Sequence, residues 1–175
     1  GYKLLSGHSM ASPHVWMDFE SDGKPLGRVV IGLYSASPDV AANFQGLASG
    51  SAGYGYQGGV VHRAVRNYAI MAGDITKGDG SGGTACGVPS FITKLQGFKH
   101  SRGTVSMTVH EGDIIRSQFF ICNMRMAPEV DREMLACGEV LSGMEVVDRI
   151  SAVPVDHSHR PLSPVTISSC GLMPA

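Results

Sequence analysis

The chain has 175 residues, of which 43% are hydrophobic and 17% are charged, a composition typical of one globular domain and not of a disordered or fibrous protein. Its formal net charge of −1 provides no basic surface for nucleic acid or an anionic membrane, and no apolar run approaches the roughly 18 residues of a membrane span. The 23 glycines are nearly double the usual share of about 7%, and without a G-X-Y period they favour a β-rich fold with many tight turns.

The first third of the chain predicts a β-hairpin followed by a helix. Apolar and polar residues alternate across His14–Glu20 and again across Gly27–Tyr34, with turn residues between the two runs. Ser37-Pro38-Asp39 then supplies an N-cap, a proline at the first helical position and an early acidic residue, and Gly50 closes an amphipathic segment. We therefore expect two antiparallel strands and one helix in this region.

Short apolar runs separated by turns dominate the rest of the chain. They lie at Gly59–Val61, Tyr68–Met71, Thr104–Val109, Ser117–Asn123, Met134–Leu141 and Pro164–Ser169. Ser142–Ala152 carries apolar residues on one helical face and has Ser142 as a possible cap, so it predicts a second helix. About eight short strands with two helices favour a closed β-barrel, because closure removes the exposed edges of a sheet.

The predicted domain spans residues 14–175, and residues 1–13 form an N-terminal arm, native or artificial, that we place outside it. The four cysteines follow neither a C-x-x-C pattern nor a zinc-site spacing. We expect buried or half-buried thiols in a reducing compartment, and hence a cytoplasmic protein. These cysteines are Cys86, Cys122, Cys137 and Cys170.

Three segments resemble known functional motifs but lack a feature that each motif requires. Gly53–Gly58 spells G-x-G-x-x-G, but it follows a helix and precedes a strand, the reverse of the order in a dinucleotide site. Gly80–Thr84 lacks the lysine of a phosphate-binding loop and is interpreted as a turn. Asp156–His159 has no third fixed metal ligand and is interpreted as solvated surface. The sequence also has no G-x-S-x-G element of a serine hydrolase.

Two segments are the most informative for function: the His62-Arg63 pair and the block Ser117–Cys122. Together with further blocks in the same order, they make the chain resemble the cyclophilin-type peptidyl-prolyl cis/trans isomerases from about Val15 to Leu172. The further blocks are Gly23–Arg28, Ala42–Phe44, Gly53–Gly58, Gly73-Asp74, Gly80–Gly83, Gly103–Met107, Gly138–Val140 and Cys170–Leu172.

This resemblance implies a mainly β fold, a closed eight-stranded antiparallel β-barrel capped by two α-helices, with an external groove that holds an X-Pro peptide. It also implies a monomer that uses no cofactor and no metal. Arg63 and Gln118 match the catalytic arginine and a groove glutamine that contacts the substrate backbone. Tyr68 matches a phenylalanine of the proline pocket, and Met107 and Phe120 match further positions around the groove.

The chain departs from the family pattern at several groove positions. Met71 stands where the family usually has a glutamine that holds the arginine, and Thr108-Val109-His110 replaces Ala-Asn-Ala. In the loop that normally bears a tryptophan, Glu129 falls near the tryptophan, Val130 near a leucine and Met134 near a histidine. Cyclosporin, a cyclic peptide that the family binds in this groove, is therefore expected to bind with weakened affinity.

The main hypothesis is a peptidyl-prolyl cis/trans isomerase that assists protein folding by binding proline-containing peptides. The alternative is a cyclophilin-fold peptide-binding module with weak or no isomerase activity, because the catalytic residues persist while their supporting residues do not. A third reading, a lipocalin-like carrier of small molecules, requires an open cavity inside the barrel.

Overall fold

A computed structural model describes residues 6–174 and confirms the prediction of a mainly β fold. Among these residues, no helix combines the length and apolar character needed to cross a bilayer. The elements in chain order are β1 (Met10–Ser21), β2 (Lys24–Tyr34), α1 (Pro38–Ser49), β3 (Arg63–Val65), β4 (Ala69–Ala72), β5 (Phe91–Ile92), β6 (Thr104–His110), β7 (Ile114–Cys122), α2 (Pro128–Glu133), β8 (Leu135–Ser142), α3 (Met144–Ser151) and β9 (Val165–Leu172).

The strands form one curled antiparallel sheet in the order β3-β4-β7-β6-β8-β2-β1-β9, and β5 pairs with β7 beside this path. In the described part of the chain, the two end strands share no ladder. The gap between them is spanned by the segment before β3, where Val61 N–H donates to the Val165 carbonyl at 2.8 Å and Gly58 N–H donates to the Ile167 carbonyl at 2.7 Å. The eight expected strands are thus present, with the short β5 beside them, but the sheet is a curled, open barrel, because only irregular backbone bridges its two end strands. Three helices accompany the sheet where two were expected.

Helix α1 follows the prediction in its position but not in the atoms of its cap. Pro38 begins the helix, and Gly50 ends it with a left-handed φ of 72° and a backbone N–H bonded to the Gly46 carbonyl. Ser37 occupies the N-cap position, yet its buried hydroxyl has no hydrogen-bond partner among the described residues. The Asp39 carboxylate accepts from Val40 N–H at 2.8 Å instead, so the early acidic residue satisfies a free donor of the first turn.

Two helix predictions need correction. The cap predicted at Ser142 is wrong, because Ser142 pairs with Val30 in the sheet and Gly143 forms the N-cap with a φ of 92°. A side chain at residue 143 would collide with the Arg28 carbonyl, which explains why glycine makes this turn. The segment around Glu129, predicted as a loop, contains helix α2 with Pro128 in its first turn.

Strand β1 begins at Met10, four residues before the predicted run, and Met10 pairs with Tyr34 while Ala11 pairs with Leu33. The first four residues of β1 therefore come from the segment that the sequence assigned to the arm. A register shift follows, and regular pairing resumes at Val15 opposite Ile31. Residues 1–5 lie outside the described residues.

Apolar side chains fill the interior of the barrel. Phe44 from α1 packs against Tyr56 and Phe119, with ring centroids 5.1 Å and 5.2 Å away, and all three rings are at most 1% exposed. The Tyr56 hydroxyl donates to the Ser117 carbonyl at 2.7 Å, so its burial leaves no unsatisfied donor. The filled interior argues against the carrier hypothesis, which requires an open cavity there.

Candidate active site

A cavity of about 560 Å³ opens on the outer face of the sheet, where β3, β4, β6 and β7 meet two loops. It brings together half of the residues that the sequence predicted for the site. It is also lined by several residues that the sequence did not predict. Its lining residues are His62, Arg63, Met71, Asp79, Gly80, Thr108, Gln118, Phe120, Met134, Asp156, Ser158 and Arg160.

Strand register explains why three of the predicted residues are neighbours. Arg63 of β3 is paired with Met71 of β4, and Met71 is paired with Phe120 of β7. Directly opposed residues of antiparallel strands project from the same face of a sheet. Arg63, Met71 and Phe120 thus form a row across the outer face, with a cation at one end and an aromatic ring at the other. Gln118 lies two residues from Phe120 on β7, and therefore on the same face.

Arg63 is exposed, and its guanidinium makes no hydrogen bond or ion pair with the described residues. Its neighbour across the strand pair is the thioether of Met71, which offers only a weak acceptor. The guanidinium is therefore available to a ligand, but nothing in the described structure fixes its planar fork in one orientation.

Gln118 is 5% exposed and has a defined structural task. Its amide nitrogen donates to the Gly80 carbonyl at 2.9 Å and to the Gly82 carbonyl at 2.7 Å. Both amide hydrogens are thus used to hold the glycine-rich loop at the rim of the cavity. The side-chain oxygen is the atom left for contact with a peptide N–H.

Asp74 organises the same loop from inside. Its carboxylate accepts hydrogen bonds from the backbone N–H groups of Lys77, Asp79, Gly80 and Gly82 at 2.9 to 3.2 Å. Burial alone would raise the pKa of Asp74, but these four donors lower that pKa well below its usual range. The segment predicted as a simple turn is therefore wrapped around an ionised carboxylate.

The apolar side of the cavity is formed by Phe120, 6% exposed, together with Met71 and Met134. Val130 of α2 packs against the same cluster, and the Val109 N–H points to the Met134 sulfur at 3.2 Å. Phe120 thus forms an apolar wall of the cavity, with two flexible thioethers beside it.

His100 and Asp131 support this wall from behind, and sequence reasoning missed both. The His100 ring stacks on Phe120 with centroids 5.8 Å apart, and its Nε2 lies 2.7 Å from the Ser106 hydroxyl. Its Nδ1 lies 3.0 Å from Asp131, whose carboxylate is also held by Arg125 at 2.8 Å. Burial lowers the pKa of His100 although Asp131 opposes that shift, so the ring favours the neutral form. No local spacing in the sequence signals this network.

Met107 was predicted to lie around the groove, but its side chain lies in the core. It is paired with Phe119, which points into the core, and Met107 itself is fully buried there. Its neighbours Ser106 and Thr108 lie on the opposite face, because successive residues of a strand alternate between the two faces. The family position is therefore matched in sequence, but the side chain serves the core.

The other predicted residues lie near the cavity without lining it. Tyr68 is 37% exposed at the turn between β3 and β4, and Glu129 is exposed on α2. Val109 packs against the core, and His110 is half-buried with an Nε2 that lacks a partner in the described residues. Of the predicted substrate-binding residues with apolar side chains, only Phe120, Met71 and Met134 therefore line the cavity.

The polar half of the cavity was not predicted. Asp156–His159 was interpreted as solvated surface, and residues 157–160 are indeed exposed, but Asp156, Ser158 and Arg160 also line the cavity. The Asp156 carboxylate accepts from the backbone of Ser158 at 2.8 Å and of Arg160 at 3.0 Å, and an Arg160 Nη donates to the Gly78 carbonyl at 2.7 Å. This loop reaches the groove only through the tertiary fold, so sequence spacing could not reveal it.

The site is built from a free arginine, an apolar wall and ordered backbone, and within residues 6–174 no group of acidic, histidine or cysteine side chains is placed to hold a metal ion. A free cation beside an apolar wall suits the binding and polarisation of a peptide.

Comparisons with known proteins agree with this picture. The family described as cyclophilin type peptidyl-prolyl cis-trans isomerase/CLD matches residues 16–172. Peptidyl-prolyl cis-trans isomerase cyp11 of Rhizopus delemar is 34% identical over 172 residues, which cover 93% of this chain and 51% of that protein. Peptidyl-prolyl cis-trans isomerase B of Saccharomyces cerevisiae is 36% identical over 160 residues, covering 90% of this chain and 78% of that protein.

The NK-tumor recognition protein of Homo sapiens is 30% identical over 170 residues, which cover 92% of this chain but only 12% of that much longer protein. The chain also spans about half the length of the Rhizopus relative. The matched region therefore makes up most of the yeast relative and only a small part of the NK-tumor recognition protein.

Proposed function

The chain belongs to the family of cyclophilin-type peptidyl-prolyl cis-trans isomerases, and we propose on that basis that it accelerates rotation about X-Pro amide bonds in the cavity lined by Arg63, Gln118 and Phe120. The observation that carries the proposal is the row Arg63, Met71 and Phe120, which sets an unpaired guanidinium beside an aromatic wall.

The chemistry requires these residue types. A rotating amide loses conjugation at its nitrogen, with a barrier of about 18–20 kcal/mol in the free peptide. A charged donor near the prolyl nitrogen stabilises the freed lone pair more in the twisted state than in the planar state, and only such differential stabilisation raises the rate. Arg63 suits this role because a guanidinium remains protonated at all physiological pH values.

The remaining residues restrict the substrate. Phe120 and the adjacent thioethers of Met71 and Met134 would hold the proline ring while the preceding carbonyl swings. The Gln118 oxygen would accept a peptide N–H, because its amide hydrogens are used by the glycine-rich loop. No group has to transfer a proton or form a covalent bond in this reaction.

The required stabilisation is modest. Uncatalysed isomerisation proceeds at on the order of 0.01 per second, and a turnover of about 100 per second corresponds to roughly 5.5 kcal/mol of barrier reduction. One charge-assisted hydrogen bond in a partly desolvated groove, together with restriction of the proline, is of sufficient size.

The second candidate function is a peptide-binding module with weak isomerase activity. It is favoured by one observation: Arg63 lacks any partner in the described residues that would hold its fork toward the substrate nitrogen. The relatives named as isomerases support the first candidate. A protease-coupled rate assay on a short Ala-Pro peptide separates the two, because a module binds the peptide without increasing the rate of cis-to-trans conversion.

The substrates are proposed to be proline-containing peptides or protein segments, handled by a monomer during protein folding. We also propose a cytoplasmic location. The support is that the four cysteines are buried or half-buried and unpaired among the described residues, which suits a reducing compartment.

Activity should vary little with pH near neutrality. Burial lowers the pKa of His62 from its usual 6.5, and it lowers the pKa of His110 as well, so both rings are already neutral at pH values where a free histidine is still partly protonated. We expect a nearly constant kcat/KM between about pH 6.5 and pH 8. Below that range the unfolded chain binds protons on these rings more readily than the folded chain does, so acid should lower stability. A steep inflection in rate near pH 7 would contradict the proposed mechanism.

Substitution of Met71 by glutamine should increase activity. A glutamine opposite Arg63 would offer its carbonyl oxygen to the guanidinium and orient it. A hydrogen bond of about 1 kcal/mol corresponds to roughly a fivefold gain in kcat/KM. The matched control is Met71→Gln in an Arg63→Ala background, where no gain is expected. An equal gain in both backgrounds would show that the glutamine acts independently of Arg63.

A further inference from the structure

A second cavity, of about 290 Å³, lies between β2, β6 and β8 and shares no residue with the candidate active site. It is lined by side chains from these three strands, from the N-terminal segment and from the loop before β6. The lining residues are Ser6, His8, Tyr34, Lys99, Ser101, Arg102, Thr104 and Glu139.

The unusual feature of this cavity is the carboxylate of Glu139. Glu139 lies in β8 between Gly32 of β2 and Thr104 of β6, and it is only 6% exposed. Its Oε2 receives the Tyr34 hydroxyl at a long 3.4 Å, and its Oε1 is buried without a partner among the described residues. A buried carboxylate is normally paired with a cation or with several donors, so this site lacks a donor.

Aromatic rings form the side of the cavity next to this carboxylate. The His8 ring stacks on Tyr34 with centroids 4.0 Å apart, and Phe98 packs against His8 at 4.5 Å. The Tyr34 and His8 side chains, which both line the cavity, provide an apolar surface along which an aliphatic chain can lie.

Two cationic side chains, Arg102 and Lys99, lie at the rim of the cavity, and neither is paired with Glu139. Arg102 is already paired with Asp148, at 2.7 Å and 2.8 Å. Lys99 is exposed and makes no ion pair with Glu139 in the described structure. The cavity therefore has an anionic inner wall and donors at its mouth, which suits a ligand with a cation at its tip and carbonyl oxygens at its base.

We propose that this cavity binds the side chain of a lysine presented by another polypeptide. The ammonium would meet Glu139 on the inner wall, the aliphatic chain would lie along Tyr34 and His8, and Lys99 and Ser101 would face the carbonyl oxygens of the peptide backbone. An ammonium fits better than a guanidinium, because Glu139 has a single unpartnered oxygen and a planar fork requires two acceptors. This interaction is independent of the isomerase reaction.

The test is a titration of isotope-labelled protein, followed by NMR, with Nα-acetyl-lysine N-methylamide. The matched probe is the norleucine analogue, which has the same chain length and no charge. We expect saturable shifts at the amides of Tyr34, Thr104 and Glu139 with the lysine probe only. Glu139→Gln should weaken binding at least tenfold while isomerase activity remains unchanged, and Lys99→Ala should weaken it only severalfold, because Lys99 faces the backbone carbonyl oxygens of the probe and not its ammonium.

Equal binding of the norleucine probe, or equal affinity in Glu139→Gln, would overturn the proposal. Binding seen only in Lys99→Ala would also overturn it, because the chain's own Lys99 would then occupy the cavity. If Glu139→Gln does not fold, the comparison of the two probes on the parent chain decides the question.

Discussion

Replacing Arg63 by alanine is expected to lower kcat/KM for an X-Pro peptide at least tenfold, which corresponds to about 1.4 kcal/mol of transition-state stabilisation. The physical reason is that Arg63 supplies the charged donor of the cavity that nothing in the described structure already engages. Arg160 also lines the cavity, but one of its Nη atoms is bonded to the Gly78 carbonyl. Because the Arg63 side chain is exposed, its removal should leave the melting temperature nearly unchanged.

The matched control is Arg66→Ala. Arg66 is exposed in the turn between β3 and β4, carries the same charge and does not line the cavity. It should retain parental activity, whereas Arg63→Lys should be intermediate because the ammonium keeps the charge and loses the planar fork. Parental activity in Arg63→Ala would show that another group stabilises the rotating amide.

Cyclosporin is expected to inhibit this chain one to three decades less tightly than it inhibits family members with the usual tryptophan. The single tryptophan of the sequence is Trp16, which lies in β1 with the Arg28 guanidinium 4.2 Å from its ring, outside the cavity. An acceptor of the ligand would thus be buried without an indole donor, at a cost of about 1–3 kcal/mol, or roughly one to two decades in affinity. Thr108 adds bulk at the cavity edge where the family has alanine.

The carboxylate of Glu129 does not contribute to this expected weak binding. Glu129, aligned with the tryptophan, is exposed on α2 and does not line the cavity, so direct repulsion by its carboxylate is not needed to explain weak binding. The measurement is a titration of cyclosporin against isomerase activity. Nanomolar inhibition would mean that another side chain donates in place of the indole.

The sequence predicted the elements that carry a clear local signal. Alternation identified β1 and β2, and Pro38 and Gly50 bounded α1, because the fixed φ of proline and the left-handed φ of glycine act within a few residues. Strand β5, with its two residues, and α2, with its six, are too short to show a period. They exist because of pairing with β7 and packing beneath Phe120.

The residues of the site, too, could be predicted only where the sequence carries a local signal. Arg63, Gln118 and Phe120 stand in blocks that resemble a known family, and their outward face follows from alternation along β3 and β7. Alternation also places Met107 in the core once its pairing with Phe119 is known, but that pairing is a property of the tertiary fold. The contributions of His100 and of Arg160 likewise depend on loops that are brought together only by folding.

The most direct test of the central claim is NMR exchange spectroscopy on a short Ala-Pro peptide with a catalytic amount of the protein. The account predicts cis–trans exchange cross-peaks that appear on the millisecond-to-second timescale, far faster than the tens of seconds of the free peptide, and an exchange rate at least tenfold lower in Arg63→Ala. Peptide resonances that shift on binding while cis and trans forms exchange no faster than in the free peptide would contradict it, and would identify the chain as a binding module.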